Sequence, residues 1–192
     1  MSRPGYIVAS LVIGFSVAAC DSPRPTGPLA DAASADARKG SAAVTDRAGV
    51  RSVIMHDICD PATFNAAVGP GTCVRPGGMK FDQFVTQLTR HGHVQGYDFT
   101  PPSFSVKAGQ EIVARNNGGE LHTFTQVAAF GGGIVAILNQ LSGNPVVAPE
   151  CTSLAPGDFV PPGGSFTTSV AGTGPVLFQC CIHPWMRAIA NG

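Results

Sequence analysis

The sequence is poor in charge, and this absence excludes one class of partner. Only 12% of its residues are charged, Lys and Arg together number 12, Asp and Glu together number 12, and the formal net charge is zero. Because acidic and basic residues are mixed along the chain, there is no basic run or stripe to attract a phosphate backbone. We therefore expect no nucleic-acid partner.

Long helical patterns are scarce as well, whereas glycine and proline are abundant, with 24 and 16 of the 192 residues. From Tyr97 onward, short alternating segments are separated by turn signals such as those at 116–119 and 161–164. Many short strands with turns between them are typical of a sandwich. The sequence predicts an all-β fold, an antiparallel Greek-key β-sandwich over residues 97–192.

Residues 53–96 carry the clearest helical signals and are predicted to form a short N-terminal α-helical extension. The first helix has Asp60 as its N-cap and Pro61 at its first helical position. The second helix has apolar residues at i, i+3, i+4 and i+7, and Gly92 can close it. This apolar stripe consists of Phe81, Phe84, Val85 and Leu88.

No apolar run near the start is long enough to span a bilayer. The run at 7–15 follows Arg3 and has the length of an export signal. It leads to Val-Ala-Ala-Cys at 17–20, which resembles the lipobox of bacterial lipoproteins; an ordinary cleaved signal is the alternative. We expect residues 1–20 to be a lipoprotein signal peptide and Cys20 to be lipidated. The protein would then be exported and lipid-anchored to the membrane on its periplasmic or extracellular side.

Residues 21–52 contain no aromatic side chain and are rich in Ala, Asp, Ser, Pro and Arg. Such a composition cannot bury enough apolar surface to offset the entropy lost on ordering. We expect these residues to form a flexible linker that holds the domain away from the bilayer.

The chemistry of the chain is concentrated near its C-terminal end. A thiol, an imidazole and a thioether occur at intervals of three, as Cys180, His183 and Met186, after the apolar run 176–178. These are ligand types of a blue-copper centre, which takes two His and one Cys in a trigonal set with a weak axial Met. Two alternatives compete with this interpretation. Cys180 can pair with Cys181 or another cysteine and leave no thiolate, and Met186 can be a core residue.

The second imidazole has to come from elsewhere, and His122 is the candidate. It follows the turn at 116–119 and begins an alternating segment, so it is predicted to lie at one end of the sandwich. A lone histidine is more often structural, but the pattern around this one resembles the cupredoxins, small blue-copper electron carriers that include plastocyanin, amicyanin and halocyanin. The resemblance covers Tyr97 to Arg187. It rests on Phe99, Pro101, Phe104, Val106, Gly109, Val113, Asn116, His122, Pro162-Gly163 and a Cys-x-x-His-x-x-Met motif spaced as in amicyanin.

The resemblance implies a cofactor and its ligands. Cys180, rather than Cys181, has the family's interval to His183. Trp185 is expected to be a packing residue that shelters the site. The implied cofactor is one type 1 copper ion, and its implied ligands are His122, Cys180, His183 and Met186.

Cysteine usage also predicts disulfides. Six cysteines are present, and four remain once Cys20 is assigned to lipid and Cys180 to the metal. An even number of remaining cysteines in an exported, oxidising compartment indicates disulfide bonds. The predicted pairs are Cys59–Cys73, by their closeness in sequence, and Cys151–Cys181, by elimination.

These observations predict a membrane-anchored type 1 copper protein that carries single electrons between redox partner proteins outside the cytoplasm and is not itself an enzyme. Copper scavenging, storage or delivery is the alternative. A multicopper enzyme would need a second copper centre, and only His56, His91 and His93 remain to build one. His91 and His93 follow a helix end and are predicted to lie at the surface. His56 and Asp57 are predicted to lie in a loop, with no partner visible in the sequence.

Overall fold

The computed structural model describes residues 49–192. The signal peptide predicted at 1–20, the lipidation predicted at Cys20 and most of the linker predicted at 21–52 lie outside the described residues. Between residues 49 and 192, no helix combines the length and the apolar character needed to cross a membrane.

The described residues fold into a β-sandwich with short helices around it. The strands are β1 Val50–His56, β2 Asp98–Thr100, β3 Ser103–Ser105, β4 Glu111–Asn116, β5 His122–Thr123, β6 Thr125–Val127, β7 Phe159–Val160, β8 Ser165–Ser169, β9 Pro175–Gln179 and β10 Arg187–Asn191. The α-helices are α1 Pro61–Ala67, α2 Phe81–His91 and α3 Ala136–Leu141, and 3₁₀ turns occupy Pro149–Thr152 and Pro156–Asp158.

Two four-stranded sheets form the sandwich, with strand orders β2-β1-β4-β8 and β3-β10-β9-β6, and β5 pairs with β7 beside them. The all-β Greek-key fold with a helical extension is therefore confirmed. The pairing is antiparallel except for β1 with β4 and β3 with β10. Both exceptions join strands separated by a long stretch of chain, which is the condition for parallel pairing.

Strand β1 was not predicted from the sequence. It lies between β2 and β4, with Met55 opposite both Phe99 and Asn116. Val53 and Met55 are completely buried. Its polar residues, Arg51 and Ser52, weaken the alternating signal at the start of the strand. This strand carries the chain into the sandwich well before the predicted β region begins at Tyr97.

Both helices predicted in the extension are present. The Asp60 carboxylate accepts a hydrogen bond from the Thr63 backbone N–H at 3.0 Å and caps α1. Gly92 ends α2 with φ 71° and donates its N–H to the Leu88 carbonyl at 2.8 Å, a left-handed ending that glycine adopts at little cost. Phe84 of α2 packs against Trp185, with ring centroids 5.9 Å apart. The extension therefore lies against the C-terminal motif.

An aromatic stack links the core to the C-terminal motif. Phe124 and Phe178 lie parallel with ring centroids 4.3 Å apart, and Phe99 meets Phe124 edge-on at 5.2 Å. Phe124 follows His122 by two residues, and Phe178 precedes Cys180 by two. Burial of these rings thus fixes the chain on both sides of the two predicted ligands.

The four cysteines predicted to pair do so in the predicted combination. Cys59 is joined to Cys73 across α1, and Cys151 is joined to Cys181, with Cα–Cα separations of 6.1 and 5.4 Å. Cys180 is buried and remains a free thiol. The structure therefore contains no bond between the neighbouring cysteines Cys180 and Cys181.

Candidate metal centre

Three of the predicted ligands meet at one end of the sandwich. The Cys180 Sγ lies 3.8 Å from the Nδ1 of His122 and 4.0 Å from the Nδ1 of His183, and the two Nδ1 atoms are 3.3 Å apart. Cys180 and His122 are fully buried, and His183 is 3% exposed. One sulfur and two imidazole nitrogens therefore converge in a dry site, which is a donor set that suits metal ions such as copper and zinc.

Backbone hydrogen bonds hold the thiol in place. The N–H groups of Thr123 and His183 both point at Sγ of Cys180, at 3.4 Å each. Thr123 belongs to β5 and also accepts the Cys181 N–H with its hydroxyl at 2.8 Å. Strand β5 and the end of β9 are thus fastened to each other at the sulfur.

The loop from Cys180 to Met186 is closed by its own backbone. Cys180 donates its N–H to the Met186 carbonyl at 3.0 Å, and Met186 donates its N–H to the His183 carbonyl at 2.9 Å. Met186 is completely buried. The assignment of its thioether as the axial ligand remains a prediction.

Asp57 belongs to the site, and sequence analysis missed it. Its Oδ2 lies 2.9 Å from the Nε2 of His122, and both side chains have no exposed surface. Asp57 follows β1 directly, whereas His122 begins β5, 65 residues later. The only signal that could have revealed this pair was the unpredicted strand β1, because its pairing with β4 brings the two segments together.

His183 has a carboxylate and two aromatic rings around it. The Glu120 Oε2 lies 3.8 Å from the Nε2 of His183. The rings of Tyr97 and Trp185 meet the imidazole edge-on, each with centroids 5.4 Å away. Trp185 thus packs over the site as the sequence predicted. Burial raises the pKa of Glu120 above its ordinary value, although the nearby His183 opposes this shift.

The buried groups shift each other's pKa values. Burial alone would raise the pKa of Cys180, but its contacts with His122 and His183 outweigh that effect and lower the pKa well below its ordinary value. Burial disfavours the charged forms of Asp57 and His122, yet their hydrogen bond prevails. It lowers the pKa of Asp57 to about 2, and with Cys180 it raises the pKa of His122 to about 9. The site thus favours a thiolate, which is the form that binds metal.

A second group of donor atoms lies next to the first but is not a comparable site. Atoms of Asp57, Cys59 and Glu120 lie within 4.8 Å of one another. Cys59 is bonded to Cys73, so it has no thiolate to offer. The two carboxylates are therefore better described as neighbours of the His122 and His183 imidazoles.

The remaining histidines lie apart from this cluster. His91 and His93 are exposed after the end of α2, with ring centroids 6.1 Å apart. His56 is half-buried at the end of β1. None of these three belongs to the described groups of metal-ligating side chains.

The segment between β6 and β7 is fastened to the ligand loop. The Ile134 N–H donates to the Cys181 carbonyl at 2.7 Å, and the Gln179 side chain accepts the Gly131 N–H at 3.0 Å. A Cβ at Gly133 would overlap the Cys181 carbonyl, so glycine is required there. Together with the Cys151–Cys181 disulfide, these contacts connect the residues around Cys180 to the segment between β6 and β7.

An apolar cavity of about 260 Å³ lies beside His183. Side chains from α1, α2 and α3 line it, among them Phe64, Phe84 and Leu138, and Glu120 lies at its wall. The helical extension and α3 therefore flank the second imidazole and keep it away from bulk water.

The sequence matches no protein-family model and no curated protein. Solved structures with a similar backbone include a purple cupredoxin from Nitrosopumilus maritimus, with a TM-score of 0.40, 12% identity and coverage of 73% of this chain and 97% of that chain. A mutant amicyanin with Cu(I) has a TM-score of 0.34 and 15% identity, and the match covers 49% of this chain and 71% of that chain. Oxidized plastocyanin from Dryopteris crassirhizoma has a TM-score of 0.34 and 20% identity, and the match covers 50% of this chain and 87% of that chain. The likeness concerns the course of the backbone, and we infer neither ligands nor function from it.

Proposed function

We propose that this chain is a type 1 copper protein that carries single electrons between redox partner proteins outside the cytoplasm. One observation carries the proposal: a buried free thiol, Cys180, lies within 4.0 Å of the Nδ1 atoms of His122 and His183. Thiolate and imidazole together suit copper and zinc, and a Cys-His₂ set with an axial Met is the pattern of electron-transfer copper sites.

Copper in this site would supply a one-electron couple. Cys180, His122, His183 and Met186 would hold it. The protein around the ligands keeps the site rigid and excludes water from it. Two N–H groups fix the sulfur, the loop is closed by its own backbone, and the Cys151–Cys181 disulfide fixes the adjacent residue. A site that moves little between oxidation states changes charge with little reorganisation.

Copper scavenging, storage or delivery has less support. Exchange of copper with a partner requires ligands that the partner can reach. Cys180 and His122 have no exposed surface, and His183 has 3%. A buried set of this kind favours retention of the ion over its transfer.

The location of the protein is part of the proposal. Two disulfides suit an oxidising compartment outside the cytoplasm. We propose that Cys20 carries the lipid that anchors the chain to the membrane, on its periplasmic or extracellular side, with residues 21–52 as the linker. The redox partners remain unidentified.

A visible absorption spectrum tests the copper site directly. The full-length protein is titrated with Cu(II) beside a Cys180→Ser variant, with Thr173→Ser, at an exposed turn, as a neutral control. We expect an intense blue thiolate-to-copper band in the wild type and in Thr173→Ser, bleached reversibly by a mild reductant and absent from Cys180→Ser. A pale spectrum that Cys180→Ser leaves unchanged would mean that Cys180 is not a ligand and would refute the proposal.

A further inference from the structure

We propose that Asp57 is a positioning residue for the metal centre. It holds His122 in the tautomer and orientation that present Nδ1 to the metal, and its negative charge favours the oxidised over the reduced ion. This inference rests on the proposed function and deepens it, because it names a residue outside the Cys-x-x-His-x-x-Met motif that sets how firmly each oxidation state is bound.

The geometry of the imidazole carries the first step. The Nε2 of His122 lies 2.9 Å from the Asp57 Oδ2, while the Nδ1 of the same ring lies 3.8 Å from the Cys180 Sγ. A carboxylate on one ring nitrogen fixes the proton there and leaves the lone pair of the other nitrogen for a metal. Both side chains are fully buried, so water does not replace either partner.

The carboxylate is itself held in place, which makes it an effective guide. Its Oδ1 accepts the backbone N–H of Gly119 at 2.8 Å and that of Cys59 at 3.3 Å, and its Oδ2 accepts the N–H of Glu120 at 2.9 Å. A Cβ at Gly118 would overlap this oxygen. The turn between β4 and β5 therefore forms a fitted cradle for Asp57, and His122 follows two residues after that cradle.

Charge carries the second step. Three backbone N–H groups and the Nε2 of His122 surround the Asp57 carboxylate, and such an environment stabilises a negative charge. A fixed negative charge in a dry site interacts more strongly with a doubly charged ion than with a singly charged one. The Glu120 carboxylate lies farther from its imidazole, at 3.8 Å from the Nε2 of His183 against 2.9 Å for Asp57 and His122, so we assign the effect to Asp57.

A purely structural role for Asp57 is the competing interpretation, since three of its four partners are backbone N–H groups. Such a role would change the free energy of unfolding of the metal-free protein. It would not change the ratio of Cu(II) to Cu(I) affinity or the tautomer of His122. The test therefore has to read those two quantities.

The first experiment measures both copper affinities and the reduction potential of full-length Asp57→Asn. Asp60→Asn is the matched control, because Asp60 is a nearby carboxylate that caps α1 without touching the site, and Asn caps a helix equally well. For Asp57→Asn we expect Cu(II) affinity to fall about 10- to 100-fold while Cu(I) affinity changes far less. The potential then rises by about 59 to 118 mV, at 59 mV per tenfold change. Asp60→Asn should match the wild type.

The second experiment needs no variant and remains valid if Asp57→Asn fails to fold. Nitrogen-15 NMR of the metal-free wild-type protein, at a pH where the His122 ring is neutral, reports the tautomer that the protein alone imposes on His122. We expect the proton on Nε2, in slow exchange with water, and no proton on Nδ1. A proton on Nδ1, or equal potentials for the wild type and a folded Asp57→Asn, would overturn the inference.

The outcomes separate this inference from the proposed function. A wild-type protein without the blue band refutes the copper function, and the tautomer of His122 in the metal-free protein then decides the role of Asp57 by itself. A blue wild type whose potential and affinities equal those of Asp57→Asn keeps the copper function and refutes the positioning role.

Discussion

Around Cys180, each buried polar group depends on a neighbour for its charge. The imidazoles of His122 and His183 lower the pKa of the thiol, and Asp57 raises the pKa of His122. Removing one partner of such a set leaves another buried group without compensation, and this costs more than the lost contact alone. The charge states of these buried residues are therefore coupled to one another.

The Asp57–His122 pair makes the stability of the metal-free protein depend on pH. The pKa of Asp57 is about 2, below its ordinary 3.8, so its contribution is present above pH 3.8 and is lost as the pH falls towards 2. The pKa of His122 is about 9, above its ordinary 6.5, so its contribution is complete below pH 6.5 and is lost as the pH rises towards 9. We expect the pair to contribute roughly 2 kcal/mol between these limits.

The contribution is measured by urea unfolding of the metal-free wild type and of metal-free Asp57→Asn over a pH series. It is the difference between the free energies of unfolding of the two proteins at each pH. Glu120 reduces the stability of both proteins as the pH rises above 4.5, since burial raises its pKa above that value, and the comparison largely removes its effect. A difference that stays constant from pH 2 to pH 9 would contradict the coupling.

At the scale of elements, the segment between β6 and β7 acts as a support for the ligand loop. Gly133 lies against the Cys181 carbonyl, and Ile134 donates to the same oxygen. We expect Gly133→Ala to lower the free energy of unfolding by about 1 to 3 kcal/mol, because the added methyl has to displace backbone. Gly157→Ala is the control, since its Cβ would meet open space. Equal urea midpoints for the two variants would show that the segment accommodates the added methyl group without loss of stability.

Helix α2 supports the other side of the site. Phe84 is 4% exposed and packs on Phe64, Tyr97 and Trp185. We expect Phe84→Ala to cost about 3 to 5 kcal/mol of unfolding free energy, as buried Phe-to-Ala changes do. The exposed Thr86→Ala on the same helix should stay within about 0.5 kcal/mol. Denaturant unfolding followed by the fluorescence of Trp185, the one tryptophan of the chain, measures both.

Elements with local signals were predictable, and those that depend on distant partners were not. The cap at Asp60, the apolar stripe of α2 and the closing Gly92 all lie within one helix, and both helices were predicted. Strand β1 is short of alternating apolar residues and is formed by pairing with the distant strands β2 and β4, so the sequence did not reveal it. The position of Asp57 depends on that strand and was missed with it.

At the scale of the whole molecule, two disulfides and a predicted lipid are the basis for the proposed location outside the cytoplasm. The lipid prediction has a direct test in a bacterial host that processes lipoproteins. We expect the wild type in the membrane fraction, with acyl chains on Cys20 by mass spectrometry, and Cys20→Ala in the soluble or unprocessed fraction. Wild-type protein with a free thiol at Cys20 would refute the anchor and leave the copper site unaffected.

The sequence by itself determined the features of this protein that depend on neighbouring residues or on the number of residues of one type. Turn and strand signals predicted the β-sandwich, and helix caps predicted α1 and α2. Once Cys20 was assigned to lipid and Cys180 to the metal, closeness in sequence and elimination predicted the two disulfides. Spacing predicted that Cys180 and His183 lie together, because two intervening residues cannot separate them far. The choice of His122 depended on a family resemblance, and its convergence with Cys180 is visible only in the fold.

Only the tertiary structure decided which groups surround the candidate ligands. Asp57 reaches His122 across 65 residues, and Glu120, Tyr97 and Trp185 gather around His183 from separate elements. Contacts of this kind leave no periodicity or local motif, because they depend on how sheets and helices pack rather than on the order of neighbouring residues. The charge and dryness of the site are therefore properties of the packed molecule.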